Sequence, residues 1–202
     1  MGGCVEAKRK RLVRSRWIHK VKHAIDRSVE KYKSCFMAKG YSQKEGIDYE
    51  ETFAPIVGYS SIRTILSLAT EMGCRVHQMD VKTAFLNEVI KEEVFIEQPE
   101  RFDVENWETH VCKLQRALYG LKQTPQAWSS RIDNYLQEIG FLRSEADHNL
   151  YFLSGEVPLI LVLYVDDLFF TRDERLIDDC KSNLAVVFGM KDLGLMHYFL
   201  GL

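Results

Sequence analysis

Apolar and polar residues alternate over residues 17–23, Asp26-Arg27-Ser28 offers a turn, and residues 29–38 run back. That pattern predicts two strands folded into a hairpin. Lys39-Gly40 and Glu45-Gly46 then interrupt it. From Ser60 the spacing becomes helical: Ile62, Ile65, Leu66, Ala69 and Met72 share a face, and Ser60 and Ser61 are N-cap candidates. Strands are expected at 76–81 and 93–97. A second helix is expected from Thr124 to about Ile139, with Trp128, Ile132, Tyr135, Leu136 and Ile139 inward. Short strands follow at 149–153, 157–165 and 168–171, with turns at Ser154-Gly155 and Asp166-Asp167. Asp173 is placed to cap a third helix reaching Phe188, with Leu176, Ile177, Cys180, Leu184 and Val187 buried. The order strand, helix, strand, helix, hairpin, helix predicts an α+β fold, with helices on one face of a largely antiparallel sheet.

Composition sets the scale. The chain has 202 residues, 46% hydrophobic and 28% charged, which suits one large domain or two small lobes of ordinary globular character. Its longest apolar run, residues 157–165, is too short to cross a bilayer as a helix. The net charge of −2 conceals an asymmetry: residues 1–33 carry eleven Lys or Arg against three Asp or Glu, a local +8, so the remainder carries −10. A basic arm beside an acidic body suggests a polyanion partner; the competing reading is a solvated terminus. Residues 1–16 are read as a poorly ordered basic arm. The five cysteines are scattered and form no C-x-x-C pair, which argues against a disulfide framework or a zinc site. Met1-Gly2-Gly3-Cys4 partly matches a myristoylation signal, but Glu6 stands where Ser or Thr is needed, so no membrane partner is expected. The arm also lacks the apolar stretch of a secretion signal.

Chemistry is suggested by carboxylates in apolar surroundings. Asp80 lies inside the strand Val76–Val81, and Asp166-Asp167 divides Leu159-Ile160-Leu161-Val162-Leu163-Tyr164-Val165 from Leu168-Phe169-Phe170. Acids at the end of a strand buried on both faces repel one another over low-dielectric core, and must protonate or bind cations. Phosphoryl transfer uses such a cluster to hold two Mg²⁺ ions about 3.5–4 Å apart. Neighbouring residues of an extended chain point opposite ways, so only one of Asp166 and Asp167 is expected to face Asp80 squarely, unless the turn twists both inward. Paired aspartates also occur in hairpin turns that bond only their own backbone, and both readings stand at this point.

Six segments in order make the chain resemble the reverse transcriptases of copia-type retrotransposons. They are Ala38-Lys39-Gly40-Tyr41, the run from Gly46 through Asp48-Tyr49 to Phe53, Gln78-Met79-Asp80-Val81-Lys82-Thr83-Ala84-Phe85-Leu86, Leu118-Tyr119-Gly120-Leu121-Lys122-Gln123, Tyr164-Val165-Asp166-Asp167 and Met190-Lys191-Asp192-Leu193-Gly194. The resemblance implies a right-hand polymerase palm with partial fingers, from residue 17 onward. It implies RNA-directed DNA polymerase activity in a Pol polyprotein, with template, primer and deoxynucleoside triphosphates as partners and Mg²⁺ or Mn²⁺ as the two-ion cofactor. Asp80 and Asp166 would be the principal metal ligands, with Asp167 beside them. Phe85 would be the gate beneath the incoming sugar, excluding a 2′-hydroxyl; core packing would serve it equally. Gly120 and Gln123 would meet nucleotide and template, although glycine there also suits an ordinary helix entry. Lys191 would lie near the triphosphate as a proton donor, although an exposed lysine after a helix looks the same in sequence. Lys33 and Lys39 would cover the triphosphate from the fingers.

Departures from the pattern carry their own expectations. Cys35 and Gln126 stand where the family has arginine, and Glu88, Arg101 and Arg172 where it has glycine; any of the last three with positive φ would be strained. Phe199, Leu200 and Gly201 resemble the start of a primer-grip hairpin. The expected domain therefore covers 17–202 and is truncated in that hairpin, with thumb and ribonuclease H absent. The implied setting is cytoplasmic, within a virus-like particle, or nuclear, and not secreted. The alternative is a catalytically inert remnant or nucleic-acid-binding module. The oligomeric state is left open.

Overall fold

The computed structural model describes residues 4–6, 12–23, 26–50, 52, 56–81, 84, 86, 88–90, 92–99 and 110–197. The chain divides into two compact units, 1–53 with 85–127 and 54–84 with 128–202.

In the first unit, strands β1 (Cys4–Glu6) and β2 (Leu12–Val13) join a four-stranded sheet, alongside the β3 (Ser15–His23) and β4 (Val29–Ala38) ribbon. Ribbon alternation and the Asp26-Arg27-Ser28 turn are as the sequence predicts. Both Ser28 N–H and its hydroxyl donate to Asp26 Oδ1. Within the described parts of segment 1–16, β1 runs antiparallel to β7 (His110–Lys113) and β2 parallel to β6 (Phe95–Ile96). The core beneath them gathers Val13, Ala38, Ile90, Val94, Ile96, Cys112, Leu114, Ala117 and Leu121. Burial there explains why so short a strand as Leu12–Val13 forms at all.

The second unit opens with α1 (Tyr59–Glu71) and β5 (Val76–Val81). Strands β6 (Phe95–Ile96) and β7 (His110–Lys113) belong to the first unit's sheet, β6 being shorter than expected. Helix α2 (Thr124–Glu138) leads to β8 (Leu142–Arg143), β9 (Leu150–Leu153), β10 (Leu159–Tyr164) and β11 (Asp167–Thr171). Helix α3 (Glu174–Phe188) and β12 (Met190–Leu195) complete the described chain. The six-stranded sheet runs β12-β5-β11-β10-β9-β8, every pairing antiparallel. Its centre is fully apolar: Leu159, Leu161, Leu163, Leu168 and Phe170 have no exposed surface.

Three expectations are corrected here. Helices lie on both faces of this sheet, not one. Ile62, Ile65 and Leu66 of α1 pack with Ile160, Val162 and Phe169, whereas α3 reaches His77, which alternation turns to the other face from Gln78. The turn between β10 and β11 falls at Val165-Asp166, one residue earlier than read. Finally, α1 begins at Tyr59, so Ser60 and Ser61 lie inside its first turn. Gly58 is the N-cap and no side chain bonds the first-turn N–H groups; Asp147 instead anchors that end, accepting from Gly58 N–H at 2.9 Å and Ser61 Oγ at 2.6 Å. Helix α3 starts as predicted, with Asp173 accepting from the N–H groups of Arg175 and Leu176. Its inner face carries Lys181 and Phe188, while Val187 is exposed.

Among the described residues no helix is long and apolar enough to cross a membrane. Among the described residues, Cys35, Cys74, Cys112 and Cys180 form no disulfide.

Candidate active site

The alternation that buries Met79 and Leu168 also fixes the carboxylates. Met79 and Leu168 are register partners at 0% exposure, so their neighbours Asp80 and Asp167, likewise partners, share the opposite face of β5 and β11. Directly opposed side chains on antiparallel strands have Cβ atoms about 4.5–5.5 Å apart, and like charges so placed repel. Burial raises the Asp167 carboxyl above its usual range, a hydrogen bond donated by Gln78 Nε2 at 3.0 Å opposes this, and the Asp80 charge raises it further. On the other side of β5, Lys191 is the register partner of Asp80. Lys191, Asp80 and Asp167 therefore form one row across three strands.

Asp166 occupies the turn. Its backbone carbonyl accepts from Val81 N–H at 3.0 Å, which joins the turn to β5 one residue beyond Asp80. Val165 before it has φ +54°, an outlying conformation for a β-branched residue. Trp128 of α2 braces that residue: its indole N–H donates to Val165 O at 2.9 Å, and its ring meets Phe188 edge-on at 5.5 Å. A Trp that is 1% exposed needs a partner for its N–H, which is the signal that could have found this contact in the sequence.

Lys191 is held by the geometry of β12. The strand bulges between Asp192 and Gly194, and Gly194 has φ +77°. Asp192 closes the bulge, accepting from Gly194 N–H at 2.8 Å and from the buried Lys181 at 2.9 Å. Burial works against ionisation of Asp192, but these bonds hold its carboxyl below the usual range. Lys181 also bonds His77 Nδ1 at 3.0 Å, and the other ring nitrogen of His77 meets Glu174 at 3.0 Å. Nothing in the spacing of these four residues announces them as a group.

The first unit holds the other expected site residues. Lys33 is exposed on the ribbon, where its register partner is Lys20, and Lys22 faces Lys31 one step further out. Arg16 lies on the same face, as does Cys35. The reverse face carries Trp17, stacked on His19 and 5.0 Å from Phe36, with Val21 and a 78% exposed Tyr32. Lys39 is half-buried, and its N–H donates to Arg14 O. Gly120 has φ +90°, and a Cβ there would sit 2.2 Å from Ala38 O; one on Gly40 would sit 1.9 Å from Gly120 O. The close approach that Gly120 permits is thus to its own chain. Gln123 is buried, accepting from Gln43 Nε2 and donating to Asp48 O. Phe85, Phe199, Leu200 and Gly201 lie outside the described residues, as does Arg101. Of the family's other glycine positions, Arg172 does have positive φ, +99°, while Glu88 does not.

Among the described residues no group of three or more His, Cys, Asp and Glu side chains is gathered to hold a metal ion. What the structure offers is an opposed pair, Asp80 and Asp167, with Asp166 in the adjoining turn. An oxygen-only pair suits Mg²⁺, which is commonly bound by one or two carboxylates and completes its shell with water and substrate phosphates.

Comparison with known proteins agrees with the motif order. A family model described as reverse transcriptase (RNA-dependent DNA polymerase) matches residues 5–202. The chain is 42% identical over 198 residues, 96% of its length, to the retrovirus-related Pol polyprotein from transposon TNT 1-94 of Nicotiana tabacum. It is 40% identical over 193 residues, 95% of its length, to that from transposon RE1 of Arabidopsis thaliana. It spans 15% and 13% of those two polyproteins. Over 61% of its length it is 42% identical to a putative transposon Ty5-1 protein of Saccharomyces cerevisiae, 41% of which is covered. No solved structure matches significantly. The chain belongs to the reverse transcriptase family, in its copia-type retrotransposon branch.

Proposed function

We propose that this chain forms the palm and partial fingers of an RNA-directed DNA polymerase, extending a primer on an RNA or DNA template by nucleotidyl transfer. The observation that carries the reading is the opposition of Asp80 and Asp167 across β5 and β11, with Asp166 in the turn tied to Val81. Two carboxylates placed against each other on a dry sheet have a use for a divalent cation that a surface ion pair lacks. Asp80, Asp167 and Asp166 would hold Mg²⁺ or Mn²⁺, which when bound supplies charge neutralisation at the α-phosphate and acidifies the primer 3′-hydroxyl.

The chain's own groups position and neutralise. Lys191, the register partner of Asp80, would donate a proton to departing pyrophosphate. The ribbon cations Arg16, Lys20, Lys22, Lys31 and Lys33 give a face suited to a phosphate backbone or a triphosphate. Val165, held by Trp128, keeps the aspartate turn from relaxing.

The test is primer extension on a primed RNA template with Mg²⁺ or Mn²⁺, comparing the parent with Asp166→Asn. Extension by the parent and loss of at least 100-fold in the variant is the expected result. Equal extension by both would discard the metal-site assignment. No extension by either, from protein shown to be folded, would favour a binding-only remnant and leave family membership intact.

A further inference from the structure

Packing alone does not account for Gln78. It lies two residues before Asp80 on β5 and so shares that residue's face. Its partner on β12 is Gly194, which offers no side chain, and its partner on β11 is Phe169. From there it reaches diagonally, a distance long side chains span on antiparallel strands, and donates Nε2–H to Asp167 Oδ1 at 3.0 Å. The residue type matters. A lysine or arginine would bond the same oxygen but neutralise the charge a divalent cation needs. A glutamate would add a third repelling carboxylate. A neutral amide holds the carboxylate and leaves its charge in place.

We propose that Gln78 is a positioning residue for the cation site, fixing one oxygen of Asp167 beside Asp80 and leaving Oδ2 available to the ion. The proposal rests on reading Asp80 and Asp167 as that site. Without the amide, repulsion from Asp80 turns the Asp167 carboxylate away, and an incoming cation must reorder it. Groups that orient metal ligands in this way are worth about 10–100-fold in metal affinity.

The experiment measures Mn²⁺ binding to the whole chain, by the loss of the free-ion electron paramagnetic resonance signal, together with the melting temperature of the metal-free protein. Parent, Gln78→Met, Gln78→Ala and Asp167→Asn are compared. Methionine matches glutamine in length without a donor, and alanine serves should methionine disturb folding. The expected result is that Asp167→Asn and the folded Gln78 variants all bind Mn²⁺ at least tenfold more weakly, with the metal-free melting temperature of the Gln78 variants within about 2 °C of the parent. If Asp167→Asn binds weakly while the Gln78 variants bind like the parent, the role of Gln78 is overturned and the cation site stands. If Asp167→Asn binds like the parent, the site itself falls and Gln78's role with it.

Discussion

The β3–β4 ribbon and the β5–β11–β10 centre of the six-stranded sheet are both antiparallel, yet they are held by different means. In the sheet both faces of β10 and β11 are buried, so a one-residue slip would exchange Leu161, Leu163, Leu168 and Phe170 with Ile160, Val162 and Phe169, and close packing of these unlike shapes enforces the register that opposes Asp80 to Asp167. In the ribbon, Val21, Val29 and Tyr32 are exposed, and like charges Lys20–Lys33 and Lys22–Lys31 face each other. There the turn fixes the register at one end and Phe36, packed on the first unit's core, at the other. The sheet is built to hold charges in place against their repulsion. The ribbon leaves its like charges in water, where repulsion between them is screened.

Substitutions in the two regions should part company, beginning with the sheet. Trp128→Ala removes a buried ring and the donor to Val165 O, and should cost about 3–5 kcal/mol in denaturant unfolding. Trp128→Phe keeps most of the packing, so its deficit should appear mainly as reduced extension. Next in size, Asp147→Ala should cost about 1–2 kcal/mol by removing the acceptor for Gly58 N–H and the Ser61 hydroxyl at the start of α1. Burial works against ionisation of Asp147, but bonds from Ser61, Gly58 and Asn149 win and hold its carboxyl low. A depressed carboxyl contributes above its unfolded pKa of about 3.9 and stops contributing as pH falls through its lower folded value. The parent and Asp147→Ala should therefore differ most at pH 6 and approach each other as pH falls from the unfolded carboxyl range through the lowered folded value, as read by urea titration.

Arg172→Gly should raise stability by about 1 kcal/mol, because glycine accepts a φ of +99° that arginine does not. A lower melting temperature for this variant would mean that other contacts of Arg172 outweigh the strain. The smallest stability effect belongs to the ribbon. Lys20→Ala with Lys33→Ala should change unfolding by under about 0.5 kcal/mol, while reducing the salt dependence of nucleic-acid binding by about two units of log–log slope. A large stability loss there would erase the contrast between the two regions.

Legibility followed the same division. Strand β5 and the helices α2 and α3 could be read almost to the residue, because their apolar periods report a buried face directly. The carboxylates stood out because acids interrupt those periods. The position of the aspartate turn was missed by one residue, since Val165 is apolar and β-branched and reads as strand; the two-residue hairpin turn puts it at positive φ, and Trp128 bonds its carbonyl there. The anchor at the start of α1 was missed because Asp147 is 89 residues from Gly58, and no local pattern reports such a contact. Lys181 was not expected inside α3, because a lysine on an apolar stripe is legible only once Asp192 and His77 are seen beside it. Segment 1–16 reads as an arm from charge, and its short strands depend on partners about 100 residues away.

The two glycines of the first unit carry a lesson about inheritance. The atoms that bar a side chain at Gly40 and at Gly120 belong to main chain, the carbonyls of Gly120 and Ala38. Every amino acid brings the same main chain, so no change at one position can make room for a side chain at the other. The two sites should therefore be fixed together across descendants of this sequence without ever varying in concert, and a search for correlated change would pass over a contact closer than those it finds.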